Sequence, residues 1–215
     1  MSRRSIRAYK PTPVSPEVLT QVLEAAVRAP SALNTQPWTF DVLGGTVLAD
    51  IKEAVQQLFL AGVQPNPDLG QFPTFTGVYR QRQIDLARGL FQLMGIAKED
   101  HGRRAQWMLR MFRFFDAPNA IIVGTDEAAV GLASVFGLGT VSQSIALAAL
   151  DFGLGTCMQR EPVSYPHVIR NLAGIPDSRT IFIAIAVGYP DWEFPANRLR
   201  SHREPLSSVV HWHGL

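Results

Sequence analysis

The chain has 215 residues, of which 47% are hydrophobic and 18% charged, and its formal net charge at pH 7 is +2. This balance supplies enough apolar side chains for a folded core and excludes an intrinsically disordered chain. The small net charge gives no support to a nucleic-acid binder, and the single cysteine, Cys157, excludes an intramolecular disulfide.

A basic cluster stands near the N-terminus and consists of Arg3, Arg4, Ser5 and Arg7, with no carboxylate before Glu17. Arginine offers a phosphate a bidentate fork, and serine adds a donor. Most charge runs are solvated surface, which is the alternative. No apolar signal-peptide stretch accompanies the cluster, so we expect a cytoplasmic protein.

The elements of the first third of the chain follow from capping, periodicity and turn residues. A helix is predicted from Pro16 to about Ala29, because Ser15 can cap it and proline suits its first position. Further on we expect a strand at residues 39–43, a turn at Gly44 and Gly45 leading to residues 46–48, a helix at residues 50–60 and a surface loop at residues 64–73.

Between the first helix and the first strand lies a bend, residues 30–38, with proline at positions 30 and 37. Each proline disfavours helical backbone at the residue before it. Asn34 and Gln36 each carry an amide that donates and accepts hydrogen bonds, which suits the edge of a planar heterocycle. A loop that only caps its neighbours is the alternative, because such residues dominate turns for backbone reasons.

Helical patterns resume at residues 79–93 and 103–115. The second pattern interleaves basic side chains with aromatic ones, among them Trp107 and Phe115. An aromatic stripe at helical spacing is usually core, but it also suits a membrane surface, nucleic acid or a partner helix.

The stretch at residues 128–150 has no charged side chain and is long enough to span a bilayer. Glycine, serine and threonine dilute its hydrophobicity, which favours a helix buried all round, in a core or at a subunit interface. Residues 120–124 and 180–187 are apolar, β-branched runs typical of buried strands. No linker divides the chain, so one domain is predicted for residues 1–215.

The last third of the chain contains a glycine-rich turn and a second basic cluster. Gly153, Leu154 and Gly155 follow the apolar helix but lack the third glycine of a dinucleotide fingerprint. The second cluster includes Arg200 and Arg203. If the two basic clusters meet in space, they form one phosphate site.

Two further features are expected to be structural. Cys157 is predicted to be a small buried hydrophobe rather than a redox-active thiol. His211 and His213 lack a local third ligand, so no metal site is expected.

Five segments, in this order and at these separations, resemble the FMN-dependent nitroreductase family, and they span nearly the whole chain. They are Arg3-Arg4-Ser5-Ile6-Arg7, residues 30–38, Gly153-Leu154-Gly155-Thr156-Cys157, Gly188-Tyr189-Pro190 and Arg203-Glu204-Pro205-Leu206.

The resemblance implies an α+β, nitroreductase-like fold in which helices flank a central mixed, mostly antiparallel sheet. It also implies an intertwined homodimer that holds FMN at the subunit interface. The residues that the resemblance implies for the FMN phosphate are Arg3, Arg4, Ser5, Arg7, Arg200 and Arg203. Those implied for the flavin ring are Pro30, Ser31, Ala32, Asn34 and Gln36. Those implied for the second face of the flavin are Gly153, Leu154 and Gly155.

The implied function is an FMN-dependent oxidoreductase that carries electrons from NADPH or NADH to nitroaromatic or quinone-like acceptors by a ping-pong mechanism. The flavin carries the redox chemistry, so no catalytic side chain is expected. The resemblance also places helices of this region over the flavin cleft, which suggests that Trp107 and Phe115 line the oxidant pocket.

Three alternatives stay open at this point. The first is a non-catalytic flavin-binding or flavin-delivery protein. The second is a family relative that catalyses another flavin reaction, such as dehydrogenation or reductive dehalogenation. The third is a basic, aromatic binder of nucleic acid or membranes, whereas the main interpretation expects neither of these partners and only a small-molecule oxidant.

Overall fold

The centre of the molecule is an antiparallel sheet whose two middle strands are the apolar runs identified in the sequence. A computed structural model describes residues 3–70 and 74–214. Its strands are β1 (Thr39–Gly44), β2 (Asn119–Asp126), β3 (Gly155–Gln159) and β4 (Arg179–Gly188). They lie in the order β1-β2-β4-β3, and every neighbouring pair is antiparallel.

The middle strands separate two apolar cores because successive side chains point to opposite faces of a sheet. Ile121 of β2 pairs with Ile185 of β4, and both are fully buried on one face. Their neighbours Ile122 and Ala184 are also paired and fully buried, on the other face. This burial on both faces explains why β2 and β4 read as continuous apolar runs.

Helices cover both faces of the sheet, which confirms the α+β class. The core that contains Ile121 packs against α1 and α5, and the core that contains Ile122 packs against α2, α4 and α6. The helices are α1 (Pro16–Ala26), α2 (Gly45–Leu60), α3 (Gly77–Leu93), α4 (His101–Phe112), α5 (Leu132–Asp151) and α6 (Pro166–Ala173). Ser15 caps α1 as predicted, and its side chain accepts a hydrogen bond from the amide of Val18.

The predicted turn at Gly44 and Gly45 does not lead to a separate segment at residues 46–48, because α2 begins at Gly45. Leu48, Ile51 and Val55 are buried on one side of this helix. Their spacing is helical, and burying that face outweighs the turn preference of two glycines. The last residues of the predicted loop, 71–73, lie outside the described residues.

Two secondary-structure elements of the fold were not predicted from the sequence. The segment after Gly153 was assigned to a turn, but Gly155–Gln159 forms β3, where Cys157 pairs with Ala186. The short helix α6 was not predicted. Both elements are shorter than the windows over which periodicity is informative.

The aromatic helix α4 ends at Phe112, earlier than the predicted residue 115. The reason is local: Phe114, Phe115 and Asp116 have φ values of 55°, 51° and 63°. Side chains other than glycine adopt this left-handed region at a cost, and such a run cannot continue a right-handed helix.

Helix α5 corresponds to the predicted apolar helix, but within one protomer it is not buried on all sides. Among the described helices, α5 is the one long and apolar enough to cross a membrane, with a mean hydropathy of 1.5. In this structure 44% of its apolar stretch is buried inside the protein. It packs against α1 and the sheet through residues such as Leu138 and Ile145. Leu132 and Phe136 remain 88% and 65% exposed.

We expect Gly124→Ala to lower the free energy of unfolding by about 1–3 kcal/mol, as overpacking does in a tight core. Gly124 lies at a register irregularity of β2, and an added Cβ would meet the carbonyl oxygen of Thr180 at 2.6 Å. Backbone atoms cannot rotate away as a side chain can. Chemical denaturation followed by circular dichroism would measure the loss.

Gly102→Ala is the matched control, because an added Cβ in the first turn of α4 would lie 3.8 Å from Asp100, an ordinary contact. This variant should be as stable as the parent or more stable by up to about 1 kcal/mol. Equal stability of the two variants would contradict the explanation given for Gly124.

Candidate functional site

The N-terminal basic cluster is positioned by the edge of the sheet. Ser5 forms a bridge with Thr156 of β3, and the amide of Ile6 donates to the carbonyl of Thr156 at 2.9 Å. Further along, the amide of Lys10 donates to the carbonyl of Tyr189 at 2.8 Å. The segment therefore runs beside β3, which holds the predicted phosphate ligands next to the glycine-rich turn.

Arg3 and Arg4 line a pocket of about 220 Å³ together with the glycine-rich turn. We call it the N-terminal pocket. The structure thus brings together predicted residues that lie some 150 positions apart in the sequence. The lining residues are Arg3, Arg4, Ile6, Leu150, Gly153, Leu154, Gly155, Thr156, Pro190 and Trp192. Ser5 and Arg7 flank the pocket on the same segment.

Gly155 allows the close approach that forms this pocket. A Cβ at this position would lie 2.4 Å from Cγ1 of Ile6 and 2.8 Å from Cγ of Pro190. Any side chain here would push the N-terminal segment off β3. Gly153 has a φ of 70°, a left-handed conformation that glycine adopts without steric cost.

Asn197 is a functional residue that the sequence analysis missed. It is fully buried. Its Nδ2 donates to the carbonyls of Ala8 and Asp191 at 2.8 and 2.7 Å, and its Oδ1 accepts from the amide of Arg7 at 2.6 Å. One carboxamide therefore ties the N-terminal segment to the C-terminal one. A single asparagine outside any motif gave no signal in the sequence.

Arg110 of α4 is a second residue that was missed. Its Nη2 donates to the carbonyl of Arg7 at 3.3 Å, its guanidinium lies 4.5 Å from the ring centroid of Phe194, and it pairs with Asp116 at 3.4 Å. Burial lowers the pKa of Arg110, and the charge of Asp116 opposes this shift. The group remains a cation beside the N-terminal segment.

The bend at residues 30–38 is exposed and has unusual backbone. Leu33, Asn34 and Gln36 have positive φ values of 51°, 58° and 45°. Leu33 is 99% exposed. The bend is held internally by a hydrogen bond from the amide of Gln36 to Oγ of Ser31 at 2.9 Å.

The bend rests on the middle of α5, where Oγ1 of Thr140 donates to the carbonyl of Pro30 at 2.9 Å. Pro37 is buried against Gly137, where an added Cβ would meet its Cγ at 3.2 Å. The N-terminal pocket contacts α5 near its other end, at Leu150. The stretch from Gly137 to Leu150 is about 20 Å of helix, so one protomer holds the two predicted parts of the flavin site well apart.

The second basic cluster does not line the N-terminal pocket. Arg200 and Arg203 line a different groove, formed by α3 and residues 199–204. Among the described lining residues, none is shared by the two pockets. The expectation that both clusters form one phosphate site therefore finds no support in the protomer, because the C-terminal segment continues past Asn197 toward α3.

Trp107 and Phe115, which were expected to line the oxidant pocket, lie in the apolar core. They are 5% and 4% exposed, with ring centroids 5.6 Å apart. Their burial argues against direct contact with an oxidant, since neither ring presents a free face to solvent. They pack α4 against the sheet instead.

Cys157 is buried as predicted. Burial raises the pKa of its thiol to about 11, although the neighbouring Arg7 opposes the shift. A thiol that stays protonated at neutral pH is a poor nucleophile. Among the described residues there is also no group of three or more histidine, cysteine, aspartate or glutamate side chains able to hold a metal ion.

The sequence matches the model of the nitroreductase family over residues 1–189. The chain therefore belongs to the nitroreductase family. It is 32% identical over 217 residues to a 4-nitrobenzoate reductase of Pseudomonas putida, covering 100% of this chain and 93% of that protein. It is 31% identical to a nitrobenzene nitroreductase of Ectopseudomonas oleovorans, covering 97% of this chain and 94% of the relative.

Solved structures agree with this assignment. The FMN- and NADPH-dependent nitroreductase NfnB from sphigopyxis sp. strain HMH superposes with a TM-score of 0.94 at 29% identity, covering 100% of this chain and 96% of that one. The FMN-dependent nitroreductase NfnB from Mycobacterium smegmatis, solved in complex with NADPH, gives a TM-score of 0.90 at 27% identity, covering 98% and 94% of the two chains.

Asn197→Ala should lower the free energy of unfolding by about 1–3 kcal/mol, because it leaves the amide of Arg7 without its partner and removes one of the two hydrogen bonds that the carbonyls of Ala8 and Asp191 each accept. The N-terminal segment should also become accessible to limited proteolysis. Calorimetry and the cleavage pattern would measure the two effects.

Asn66→Ala serves as a control, since within the described parts of the chain only the backbone amide of Asn66 is hydrogen-bonded, to the carbonyl of Ser164 at 2.9 Å. Removing its side chain should change stability by less than about 0.5 kcal/mol. An intact N-terminal segment in Asn197→Ala would show that the carboxamide does not hold it.

Proposed function

We propose that this protein is a homodimeric, FMN-dependent oxidoreductase that transfers electrons from NADPH or NADH to nitroaromatic or quinone-like acceptors by a ping-pong mechanism. The observation that carries the proposal is the N-terminal pocket, which joins Arg3 and Arg4 to a glycine-rich turn within a fold shared with FMN-dependent nitroreductases. A single domain, residues 1–215, and a cytoplasmic location belong to the same proposal.

The N-terminal pocket suits the ribityl phosphate of FMN. Arg3 and Arg4 supply positive charge, and the exposed Gly153 leaves the backbone accessible to a phosphate. Ser5 adds a hydroxyl donor on the same segment. At about 220 Å³ the pocket is smaller than the roughly 300–1,000 Å³ that encloses a complete ligand of this size. It therefore accommodates the tail, and the ring extends beyond it.

FMN, when bound, supplies the group that accepts a hydride from the nicotinamide and passes electrons to the acceptor. The chain's own contribution is binding and electrostatics. Arg110 donates to the backbone carbonyl of Arg7 on the N-terminal segment, and cations in this region favour a negatively charged reduced cofactor. Because the flavin would carry the redox chemistry, this mechanism requires no acid–base pair of side chains.

A second copy of the chain would complete the site. The bend and the N-terminal pocket sit about 20 Å apart along α5, so the bend of one protomer reaches the flavin ring most directly in the pocket of its partner. We assign the ring contacts to this bend. The residues assigned are Pro30, Ser31, Ala32, Asn34 and Gln36.

Exposed apolar surface supports the dimer. In α3, residues 77–88 are all exposed, including Val78 at 55% and Tyr79 at 61%. A helix so poorly packed in its own chain gains stability only from another surface. Leu33 and Phe136 are 99% and 65% exposed on the bend and on α5, and apolar clusters of this kind mark interfaces.

The test begins with the visible spectrum of the purified protein, supplemented with FMN. We expect flavin bands that NADPH or NADH bleaches without oxygen and that 4-nitrobenzoate or a quinone restores. No bands with added FMN would refute the proposal. Stable flavin that no nicotinamide bleaches would instead identify a flavin-binding or flavin-delivery protein.

The phosphate assignment is tested in the same assay by Arg3→Gln. Losing one charge-assisted contact should weaken FMN binding about tenfold, equivalent to about 1.4 kcal/mol. Arg28→Gln, at the exposed end of α1, should bind FMN like the parent. Equal FMN affinity of the two variants would place the phosphate elsewhere.

Phe136→Arg should convert the dimer to a monomer and weaken FMN binding, because it places a charge in the apolar face of α5. Leu60→Arg is the matched control, since Leu60 is 62% exposed at the end of α2. Light scattering coupled to size-exclusion chromatography would report the masses. A dimeric Phe136→Arg protein with normal FMN affinity would exclude this face from the interface.

A further inference from the structure

The turn that joins α4 to β2, residues 113–117, has strained backbone. Phe114, Phe115 and Asp116 have φ values of 55°, 51° and 63°, which residues other than glycine adopt only at a cost. The rings of Phe114 and Phe115 are buried in the core, and this burial offsets the cost. Asp116 buries no ring, and its side chain is 39% exposed. Its conformation therefore needs another explanation.

The turn directs the carboxylate of Asp116 back toward the end of α4. Oδ1 accepts a hydrogen bond from Nε of Arg113 at 2.9 Å, and Oδ2 lies 3.4 Å from Nη2 of Arg110. The side chain of Arg113 is 41% exposed, so this pair contributes little stability. The side chain of Arg110 is only 25% exposed. The pair with Arg110 is thus the one better shielded from solvent, and it fixes the place of that guanidinium group.

From this place Arg110 holds the N-terminal segment. Its Nη2 donates to the carbonyl of Arg7 at 3.3 Å, and its guanidinium lies 4.5 Å from the ring centroid of Phe194. Asn197 holds the other side of the same residue, because its Oδ1 accepts from the amide of Arg7 at 2.6 Å. Both backbone groups of Arg7 are therefore held by side chains from distant parts of the chain.

The side chain of Arg7 is also held in place. Its Nη1 donates to the carbonyl of Ser5 at 3.2 Å, and Ser5 in turn forms a bridge with Thr156 of β3. A phosphate that binds the hydroxyl of Ser5 thus finds the guanidinium of Arg7 close by. Holding a long side chain in place before binding reduces the entropy lost when the ligand arrives.

Stability alone does not account for this arrangement. Nε of Arg110 is buried, and within the described parts of the chain it has no hydrogen-bond partner. A buried donor without a partner costs free energy, as does left-handed backbone at Asp116. Backbone strain of this kind clusters at functional sites, where the surrounding structure maintains it.

We propose that Asp116 and Arg110 are positioning residues for FMN. Asp116 orients Arg110, and Arg110 fixes Arg7 beside Ser5 so that these two residues can bind the cofactor phosphate. This inference rests on the proposed flavin-dependent function, with the FMN phosphate at the N-terminal segment. Asp116 and Arg110 do not contact the phosphate themselves but act through the backbone of Arg7.

The first test is Asp116→Asn, which removes the charge without adding strain, because asparagine also adopts left-handed backbone. The full-length protein is titrated with FMN, and binding is followed by flavin fluorescence. We expect the dissociation constant to rise about fivefold, the equivalent of one lost hydrogen bond. An FMN affinity equal to that of the parent would overturn the proposal.

Asp100→Asn is the matched control at the opposite end of α4. Asp100 lies 4.0 Å from Arg103, three positions away, and its side chain accepts a hydrogen bond from the amide of Arg103. Asparagine caps a helix as well as aspartate does, so this variant also loses only a charge. It should bind FMN like the parent. A loss of affinity as large as in Asp116→Asn would reduce the effect to general charge and refute the proposal.

Asp116→Gly separates positioning from stability. Glycine adopts a φ of 63° without steric cost. The midpoint of thermal unfolding, recorded without FMN because a bound ligand raises it, should therefore stay within about 3 °C of the parent's. FMN should still bind about fivefold more weakly. If FMN affinity fell only together with the unfolding midpoint, the role of Asp116 would be purely structural and the proposal would be wrong.

A double-mutant cycle tests whether Asp116 acts through Arg110. Arg110→Gln should weaken FMN binding at least as much as Asp116→Asn does, and combining the two changes should add nothing further. Effects that multiply would show that Asp116 acts independently of Arg110, against the proposal. A parent that binds no FMN would instead refute the proposed function, whereas variants that bind FMN like a competent parent would refute this inference alone.

Discussion

The hydrogen bonds of the Asn197 carboxamide are the interaction on which the N-terminal pocket depends. Among the described residues, the N-terminal segment meets β3 through one isolated bridge, between Ser5 and Thr156, and a second bridge joins Tyr9 to Pro190. The segment therefore lacks the regular ladder that holds a full edge strand. Asn197 replaces that ladder by binding backbone groups of Arg7, Ala8 and Asp191 in a buried position. Each bond contributes only about 1 kcal/mol net, but a buried group left unpaired costs more.

The bend on α5 has strained backbone that no contact described within the protomer explains. Residues other than glycine in left-handed backbone cost roughly 1–3 kcal/mol each, and Leu33 adds a fully exposed apolar side chain. Pro37 and Thr140 fix the bend on the helix. In the proposed homodimer, a partner would cover Leu33, and Asn34 and Gln36 would contact the flavin, which would offset the cost of this backbone conformation.

Much of this arrangement was predictable from the sequence. The buried strands β2 and β4, the capped helix α1 and the class of fold follow from periodicity and end signals, which act over many residues. The association of Arg3 and Arg4 with Gly153 and Gly155 came from a resemblance that linked distant segments. In the bend, two prolines and the amides of Asn34 and Gln36 mark an unusual turn in the sequence itself.

Other features could not be read from local patterns. Asn197 and Arg110 act through contacts with backbone carbonyls far away in the chain, and a carbonyl has no residue identity that a sequence motif could record. The end of α4 depends on left-handed backbone at Phe114 and Phe115, which tertiary packing imposes on residues that do not prefer it. Trp107 lies in the core because burying its large aromatic ring is more favourable than exposing it to solvent.

The two basic clusters differ in their exposure. Arg3 and Arg4 are half-buried beside Gly155, whereas Arg200 and Arg203 are exposed in an open groove of the protomer. Exposed charges attract an anion from a distance but hold it weakly once salt screens them. Within one protomer, the half-buried pair is therefore better suited to hold the phosphate of a cofactor that stays bound.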